Sequence, residues 1–178
     1  MARKVILYIA TSLDGYIATR DEDLAFLSLV ELPGEDYGYH DFIRTVDTVI
    51  LGRKTYDKVL SFGIGFPHAD KECYIVTRTQ RTQEGNVRFY TGDIKTLVTN
   101  LKEKEGKNIF VDGGADVVNT MMKDDLIDEF VVSVIPVFLG DGIRLFQDGR
   151  PEHKLELMRS ESFEKGLVQL RYKRKRGQ

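Results

Sequence analysis

The sequence has little of several residue types that mark common classes of protein. It contains one cysteine, four prolines and no tryptophan in 178 residues. A single cysteine cannot form a disulfide framework within one chain, and Cys73 lies in an apolar run that favours a buried thiol over a nucleophile. The prolines are scattered, and no linker or internal repeat divides the chain, so we expect one domain over residues 1–178.

Long apolar runs and a strong net charge are also absent. No run approaches the roughly 20 apolar residues that a membrane helix needs. The formal net charge of −2 gives no overall attraction to nucleic acid or to an acidic membrane. The basic tail 171–176 overlaps a predicted edge strand, where Lys and Arg commonly deter aggregation. We therefore predict a small-molecule partner, no nucleic acid, no membrane and, because no signal-peptide pattern is present, a cytoplasmic location.

Short apolar runs alternate with segments of helical periodicity. The runs suit strands buried on both faces, and the segments between them suit amphipathic helices. The predicted strands cover 5–10, 48–51, 73–76, 109–111 and 130–137, and the clearest helices cover 94–101 and 117–122. Segments 155–163 and 167–172 predict an antiparallel hairpin. The sequence thus predicts a three-layer α/β fold: a mostly parallel central sheet flanked by helices, with the antiparallel C-terminal hairpin at the edge.

The loops that follow the strands are where an open parallel sheet binds ligands. The predicted strand 48–51 is followed by Gly52, Arg53, Lys54 and Thr55 at the expected start of a helix. Two cations at a helix start oppose the macrodipole by roughly 0.3–1 kcal/mol, and a bound phosphate would remove that conflict. A solvated first turn capped by Thr55 explains the same residues equally well.

Two more loops have the composition of anion sites. The loop 112–116 contains Gly113 and Gly114, and adjacent glycines let the backbone approach a ligand closely. The loop after strand 73–76 contains Thr77 and Arg78, a hydroxyl beside a cation. A plain strand-to-helix turn and an ordinary surface arginine are the alternative interpretations.

The first strand ends in the loop that contains Ser12, Leu13, Asp14 and Gly15. Asp-Gly is a strong turn signal, so a connection without chemistry is one interpretation. The other is that this loop lies beside the proposed phosphate turns, where a flat ring could stack against Leu13 or Ile17. Motifs for other chemistry, such as G-x-G-x-x-G, Walker A and H-E-x-x-H, are absent, and the histidines have no metal-ligand spacing, so we expect no metal.

Taken in order, these segments resemble the dihydrofolate reductase-like superfamily, and most closely its branch related to the pyrimidine reductase domain of riboflavin biosynthesis. The resemblance covers nearly the whole chain and rests on segments 12–18, 52–56, 76–78, 112–115, 128–129 and 135–142. It implies a dihydrofolate reductase-like fold, oxidoreductase activity and NADPH as the cofactor.

The resemblance also implies roles for individual residues. The nicotinamide carboxamide would meet backbone groups of Ala10 and Ile17, and a cis peptide bond would join Gly113 to Gly114. Two cations at the 2′-phosphate positions, Arg53 and Arg78, favour NADPH over NADH. The full set matched to the cofactor's phosphates is Gly52, Arg53, Thr55, Thr77, Arg78, Gly113, Gly114, Ala115 and Asp116.

The substrate end departs from the family patterns. Counting back from Gly52 brings Asp36 to the position of the pteridine-binding carboxylate of dihydrofolate reductases. Asp36 lies in a segment that reads as loop, so a solvated carboxylate is the competing interpretation. The arginine for the folate tail and the loop tryptophan have no match, which argues against folate. The riboflavin-type pattern has Glu-Gly-Gly where this chain has Asp112-Gly113-Gly114.

We therefore hypothesise an NADPH-dependent reductase of a small carbonyl or imine, such as 5-amino-6-(5-phosphoribosylamino)uracil or a pterin-like compound. Ser12, Leu13 and Asp14 would contact the substrate, and Asp14 or Asp36, or a water held by either, would supply the proton. The rival interpretation is a non-catalytic NADP(H)-binding or sensing module. Because related reductase domains commonly pair through an edge strand, we also expect a homodimer.

Overall fold

The computed structural model describes residues 2–177. Within that range the chain forms ten strands and four α-helices. The strands are β1 (Val5–Ser12), β2 (Tyr16–Ala18), β3 (Val46–Gly52), β4 (Glu72–Val76), β5 (Val87–Tyr90), β6 (Asn108–Gly113), β7 (Glu129–Ile135), β8 (Ile143–Arg144), β9 (Leu155–Ser162) and β10 (Val168–Arg174). The helices are α1 (Tyr39–Arg44), α2 (Arg53–Ser61), α3 (Ile94–Glu103) and α4 (Ala115–Lys123), with short 3-10 helices at Ala25–Val30 and Glu164–Gly166.

The main sheet has eight strands in the order β5-β4-β3-β6-β1-β7-β10-β9. The strands from β5 to β7 in this order are parallel, and β10 and β9 join in antiparallel orientation. Strands β2 and β8 form a separate two-stranded antiparallel sheet. The predicted fold class is confirmed, including the C-terminal hairpin at the edge.

Helices cover the sheet on both faces, which is why the parallel strands read as continuous apolar runs. On one face α3 and α4 pack against Val5 and Leu7 of β1. On the other face α1 and α2 pack around Phe110 of β6. The 3-10 helix Ala25–Val30 extends this second layer over the ends of β1 and β7, where it packs against Ile135.

Three short strands, β2, β5 and β8, are missing from the sequence prediction. In β5 the buried Val87 and Phe89 alternate with more exposed residues, so this edge strand has no continuous apolar run. The predicted strand 130–137 ends at Ile135, because Pro136 cannot donate a ladder hydrogen bond. The turn after Ser12 does connect β1 to β2, but β2 pairs with β8 instead of folding back on β1.

The basic tail is tied to the body of the protein by ion pairs. Arg174 Nε lies 2.5 Å from Asp125 Oδ1, and Arg176 Nη1 lies 2.6 Å from Asp128 Oδ1. These contacts hold the C-terminal hairpin against the loop that leads into β7. Across residues 2–177, every helix falls short of the length and apolarity that a membrane span requires.

Candidate functional site

The predicted ligand loops lie together because they follow neighbouring strands. In the sheet register Gly52 of β3 is opposite Val76 of β4, and Leu51 of β3 is opposite Gly113 of β6. The carboxyl ends of these parallel strands therefore meet at one edge of the sheet, which is where ligands bind in open α/β sheets. The loop after β1 opens at the same edge, since β1 is the next strand beyond β6.

Helices α2 and α4 begin side by side at this edge. Gly52 and Gly114 occupy their N-cap positions, and neither offers a side chain to cap the free N–H groups of the first turn. A Cβ atom on Gly114 would lie 3.0 Å from Thr55 Oγ1, and one on Gly52 would lie 3.3 Å from Val117 Cγ2. Glycine at both positions thus lets two helix starts approach each other closely. Two sets of unpaired N–H groups and two positive helix ends converge there, which suits a pyrophosphate.

The turn between β6 and α4 has the peptide geometry that the resemblance implies. The bond between Gly113 and Gly114 is cis, and Gly113 has a φ of 102°. The predicted cis peptide is therefore confirmed. Ala115, the first residue of α4, is buried, and Asp116 is exposed in the first turn.

The cations near these turns differ in their surroundings. Arg53 Nη1 lies 2.7 Å from Asp57 Oδ2, although the Arg53 side chain stays 41% exposed. Lys54 lies 3.7 Å from a carboxylate oxygen of Glu22. Carboxylates thus offset part of the conflict between these cations and the helix macrodipole. Arg78 is exposed in the loop after β4 and takes part in no ion pair within residues 2–177.

A cavity of about 760 Å³ lies next to this edge, between the sheet and the segment 27–37. The sheet contributes its floor from two neighbouring strands, where Ala10 of β1 and Ser133 of β7 are in register, and Gln169 of β10 lies opposite Ser133. The residues that line the cavity are Tyr8, Ala10, Leu27, Val30, Glu31, Leu32, Pro33, Glu35, Asp36, Tyr37, Ser133, Ile135 and Leu167. Ala10, predicted to meet the nicotinamide, thus lies in a cavity large enough for a small substrate. The Ile17 side chain packs against the core on the α3 and α4 face. Contact of the nicotinamide with backbone groups of Ala10 and Ile17 stays a prediction.

A polar network crosses the floor of the cavity. Gln169 Nε2 lies 3.1 Å from the Tyr37 carbonyl and 3.2 Å from both Tyr8 Oη and Ser133 Oγ. Tyr8 Oη donates to the Tyr37 carbonyl at 2.8 Å. Burial raises the pKa of Tyr8, so its hydroxyl keeps its proton at neutral pH. None of these residues was predicted, although Ser133 is a polar residue inside an apolar run and so carried a signal.

Asp36 lies in a loop, as predicted, and its side chain reaches the wall of the cavity. Its Oδ1 accepts a hydrogen bond from Gly38 N and its Oδ2 accepts one from His40 N, both at 2.9 Å. The His40 ring nitrogen Nδ1 also contacts Oδ2. The His40 and Gly38 N–H groups hold the pKa of Asp36 below its usual range, so the carboxylate is charged at neutral pH.

Asp14 does not line the cavity. Its carboxylate accepts hydrogen bonds from Ser12 Oγ at 2.5 Å, Gly140 N at 2.7 Å and Leu139 N at 3.1 Å. Desolvation would raise the pKa of Asp14, but these hydrogen bonds hold it below the usual range. Ser12 and Asp14 thus tie the loop after β1 to the loop after β7. Leu13, next to them, is 58% exposed. Substrate contact by these three residues, and a catalytic role for Asp14, stay predictions.

A buried histidine near the glycine turn was not expected. His68 Nε2 lies 3.2 Å from Asp112 Oδ2, and the His68 side chain is only 3% exposed. The His68 carbonyl also accepts a contact from Cys73 Sγ at 3.2 Å. Cys73 is buried, as predicted, and desolvation raises the pKa of its thiol to about 12. His68 and Asp112 are 44 positions apart in the sequence, so no local pattern predicted this pair.

Comparison with known proteins identifies the family. The sequence profile of the RibD C-terminal domain matches residues 3–169. The chain belongs to this family. The YwjB protein of Bacillus subtilis strain 168, described as uncharacterized, is 46% identical over 175 residues, which cover 98% of this chain and 99% of YwjB. The predicted relationship to the riboflavin-type pyrimidine reductases is confirmed.

Solved structures of RibD-like proteins share the fold. A putative riboflavin biosynthesis protein from Shewanella sp. PV-4 is 33% identical with a TM-score of 0.90, and the match covers 99% of this chain and 100% of that one. A deaminase and 5-amino-6-(5-phosphoribosylamino)uracil reductase from Thermotoga maritima is 17% identical with a TM-score of 0.72. That match covers 97% of this chain and 57% of the Thermotoga chain, and at this identity it shows the fold alone.

Proposed function

We propose that this RibD C-terminal domain is an NADPH-dependent oxidoreductase that reduces a carbonyl or imine of a small molecule held in the cavity. One observation carries the proposal: the uncapped starts of α2 and α4 adjoin at the sheet edge beside the cavity that contains Ala10. Membership of a reductase domain family supports it. When bound, NADPH supplies the hydride.

The residues at the helix starts fit a dinucleotide diphosphate. N–H groups of the first turns of α2 and α4 would donate to its oxygens, and Thr55 would add a hydroxyl between the two turns. Gly52 and Gly114 leave the room that a side chain would fill. Positioning of this kind is the main contribution that the protein makes to a hydride transfer.

Two arginines favour the phosphorylated cofactor. Arg78 is exposed at the end of β4 without an ion pair in residues 2–177, and Arg53 is one strand away at the end of β3. Guanidinium groups bind phosphate strongly and add little to a ribose hydroxyl. The proposed cofactor is therefore NADPH rather than NADH.

The cavity would place the acceptor beside Ala10. Asp36 is one of the carboxylates in its wall, and because it is ionised at neutral pH it acts best by orienting a water that delivers the proton. The sequence suggested two acceptor candidates, 5-amino-6-(5-phosphoribosylamino)uracil and a pterin-like compound. The first also appears in the name of the Thermotoga protein.

Calorimetric titration with NADPH and NADH tests the cofactor assignment. We expect the variant Arg78→Ala to bind NADPH about tenfold more weakly, as removal of one charge-assisted phosphate contact should do, and NADH as tightly as before. The matched control is Arg44→Ala, which removes an exposed arginine at the end of α1, at the opposite edge of the sheet. Equal losses for the two cofactors would contradict the assignment.

The rival function is a non-catalytic NADP(H)-binding or sensing module. It is favoured by one observation: Asp14 and Asp36 are both hydrogen bonded with lowered pKa values, so neither is a ready proton donor. Loss of NADPH absorbance in the presence of a carbonyl, pterin or aminouracil compound would decide for the enzyme. Binding of NADPH without consumption across all three classes would decide for the module.

We also propose that the protein is a homodimer and that it is located in the cytoplasm. Edge strand β9 is exposed along almost its whole length, and Leu155, Leu157 and Met158 are more than two-fifths exposed on it. Unpaired edges of this kind are sites where a second copy can add strands. Light scattering would test the dimer, and cell fractionation would test the location.

A further inference from the structure

The charges of the cavity narrow the class of acceptor. We propose that this cavity selects a flat, unphosphorylated heterocycle that is neutral or cationic, and that it rejects a phosphorylated acceptor. The inference rests on the proposed function, because it names the substrate class of the same site. It separates the two acceptor candidates, one of which carries a phosphate.

The shape of the cavity suits a flat molecule. Its floor is the sheet, with the short side chains of Ala10 and Ser133 in register on neighbouring strands. Its roof is the 3-10 helix Ala25–Val30, from which Leu27 and Val30 face it. Buried Leu167 closes one side. A flat floor of short side chains under an apolar roof favours a ring over a branched chain.

The floor also presents a hydrogen-bond donor. Ser133 is only 5% exposed, and its Oγ is an acceptor for Gln169 Nε2. Within residues 2–177 the Ser133 hydroxyl hydrogen meets no acceptor at hydrogen-bond distance. A buried hydroxyl gains most from a partner, so a ring carbonyl or ring nitrogen that accepts from Ser133 fits this position.

Carboxylates surround the rest of the cavity. Glu31, Glu35 and Asp36 belong to its lining, and Glu164 lines an adjoining cavity of about 460 Å³ that shares Glu35. Among the described residues that line either cavity, there is no lysine, arginine or histidine. The carboxylates can therefore accept hydrogen bonds from the N–H groups of an amino-substituted ring. Their negative potential disfavours anionic groups.

Three basic side chains lie near the cavity. Lys165 Nζ donates to the backbone carbonyl of Glu31 at the rim, and it is exposed. Arg171 pairs with Glu129 at 2.8 Å, and the His40 ring contacts Asp36. None of these groups lines the cavity. Arg78, exposed and without an ion pair in residues 2–177, lies on the proposed cofactor side.

A phosphate dianion in this cavity would meet repulsion from the carboxylates, and the described residues that line the cavity include no basic side chain to compensate for it. The repulsion acts through water at the open rim, so it is moderate and depends on salt. We expect an unphosphorylated ligand to bind about tenfold more tightly than its phosphate at low ionic strength, and the ratio to shrink as salt is added.

Calorimetric titration with one matched pair tests the inference. The probes are 5-amino-6-(ribosylamino)uracil and its 5′-phosphate, which differ only in the phosphate, under anaerobic conditions and at low and high salt. The double variant Glu31→Gln/Glu35→Gln should bring the affinity ratio close to one. The control Glu103→Gln/Glu105→Gln removes the same charge from exposed positions at and beyond the end of α3 and should leave the ratio unchanged.

Each outcome decides the question. Equal or tighter binding of the phosphate, or no binding of either compound, overturns the inference. NADPH is titrated separately against the same protein. Absence of NADPH binding contradicts the proposed reductase. Tight NADPH binding together with tighter binding of the 5′-phosphate than of the unphosphorylated compound contradicts only the proposed rejection of phosphorylated acceptors.

Discussion

The two halves of the candidate site are built in different ways. The proposed cofactor half consists of backbone turns at the ends of β3 and β6, where glycines and helix starts provide the binding groups. The proposed acceptor half consists of residues from β1, β7, the segment 27–37 and the turn before β10. The first half depends on short segments of sequence, and the second depends on how distant segments meet. The same chain can therefore keep one cofactor while small changes in the cavity alter the acceptor.

Filling the space at Gly114 should have the largest effect. A Cβ atom there would meet Thr55 Oγ1 at 3.0 Å, so Gly114→Val must push the two helix starts apart. We expect about a 100-fold loss of NADPH affinity, the upper range for overpacking a tight contact. Cavity ligands should bind as before, as calorimetry of both ligands would show.

The control for this variant is Gly177→Val, since open space surrounds Gly177. The smaller change Gly114→Ala covers the case in which Gly114→Val does not fold, and a melting curve identifies that case. Unchanged NADPH affinity in a folded Gly114→Ala or Gly114→Val protein would contradict the assignment of the glycine turns to the cofactor half.

A change at Ser133 should have the opposite selectivity. Ser133→Ala removes the buried hydroxyl from the cavity floor and leaves Gln169 with one acceptor fewer. We expect about a tenfold loss of acceptor affinity, as for one buried hydrogen bond, with NADPH affinity unchanged. Thr120→Ala is a suitable control, because Thr120 is exposed on α4 and its hydroxyl donates to the carbonyl of Asp116 in the same helix. A parallel loss of NADPH affinity would show that the halves are not separate.

A change at Glu129, at the opposite end of the sheet, should have the smallest effect on the candidate site. Glu129 is buried between Lys4 at 2.7 Å and Arg171 at 2.8 Å. Desolvation would raise the pKa of Glu129, but hydrogen bonds from Lys4 and Arg171 hold it below the usual range. A depressed folded-state pKa stabilises the protein above the unfolded-state pKa of about 4.3, and this contribution is lost as the pH falls through the folded-state value.

Glu129→Gln should therefore lower the melting temperature at neutral pH and flatten its fall below about pH 5. NADPH affinity at neutral pH should not change. The control is Glu156→Gln, because Glu156 also pairs with a lysine, Lys173, but is exposed on β9. Identical pH profiles for wild type and Glu129→Gln would remove Glu129 from the account of acid stability.

Local sequence patterns predicted most of the fold and the turns of the proposed cofactor half. The apolar runs identified the buried parallel strands, and the two glycines at 113–114 identified the turn that proved to be cis. Position in a shared register brought Gly52 and Gly113 together, and that follows from parallel pairing once the strands are known.

The acceptor half was harder to predict, because its contacts are distant in sequence. Gln169 reaches Tyr8 across 161 positions, and no local pattern marks such a pair. Asp14 and Asp36 were identified by position, but their hydrogen bonds to Gly140, Gly38 and His40 depend on loop conformation. These bonds lower the pKa of both carboxylates, which the sequence does not reveal.

The central claim is that the glycine turns and arginines bind NADPH. The most direct measurement is the melting temperature with equal concentrations of NADPH or NADH. We predict clear stabilisation by NADPH, about 2.7 kcal/mol when its concentration is 100 times the dissociation constant, and a smaller shift with NADH. Equal shifts with the two cofactors, or no shift with either, would contradict the account.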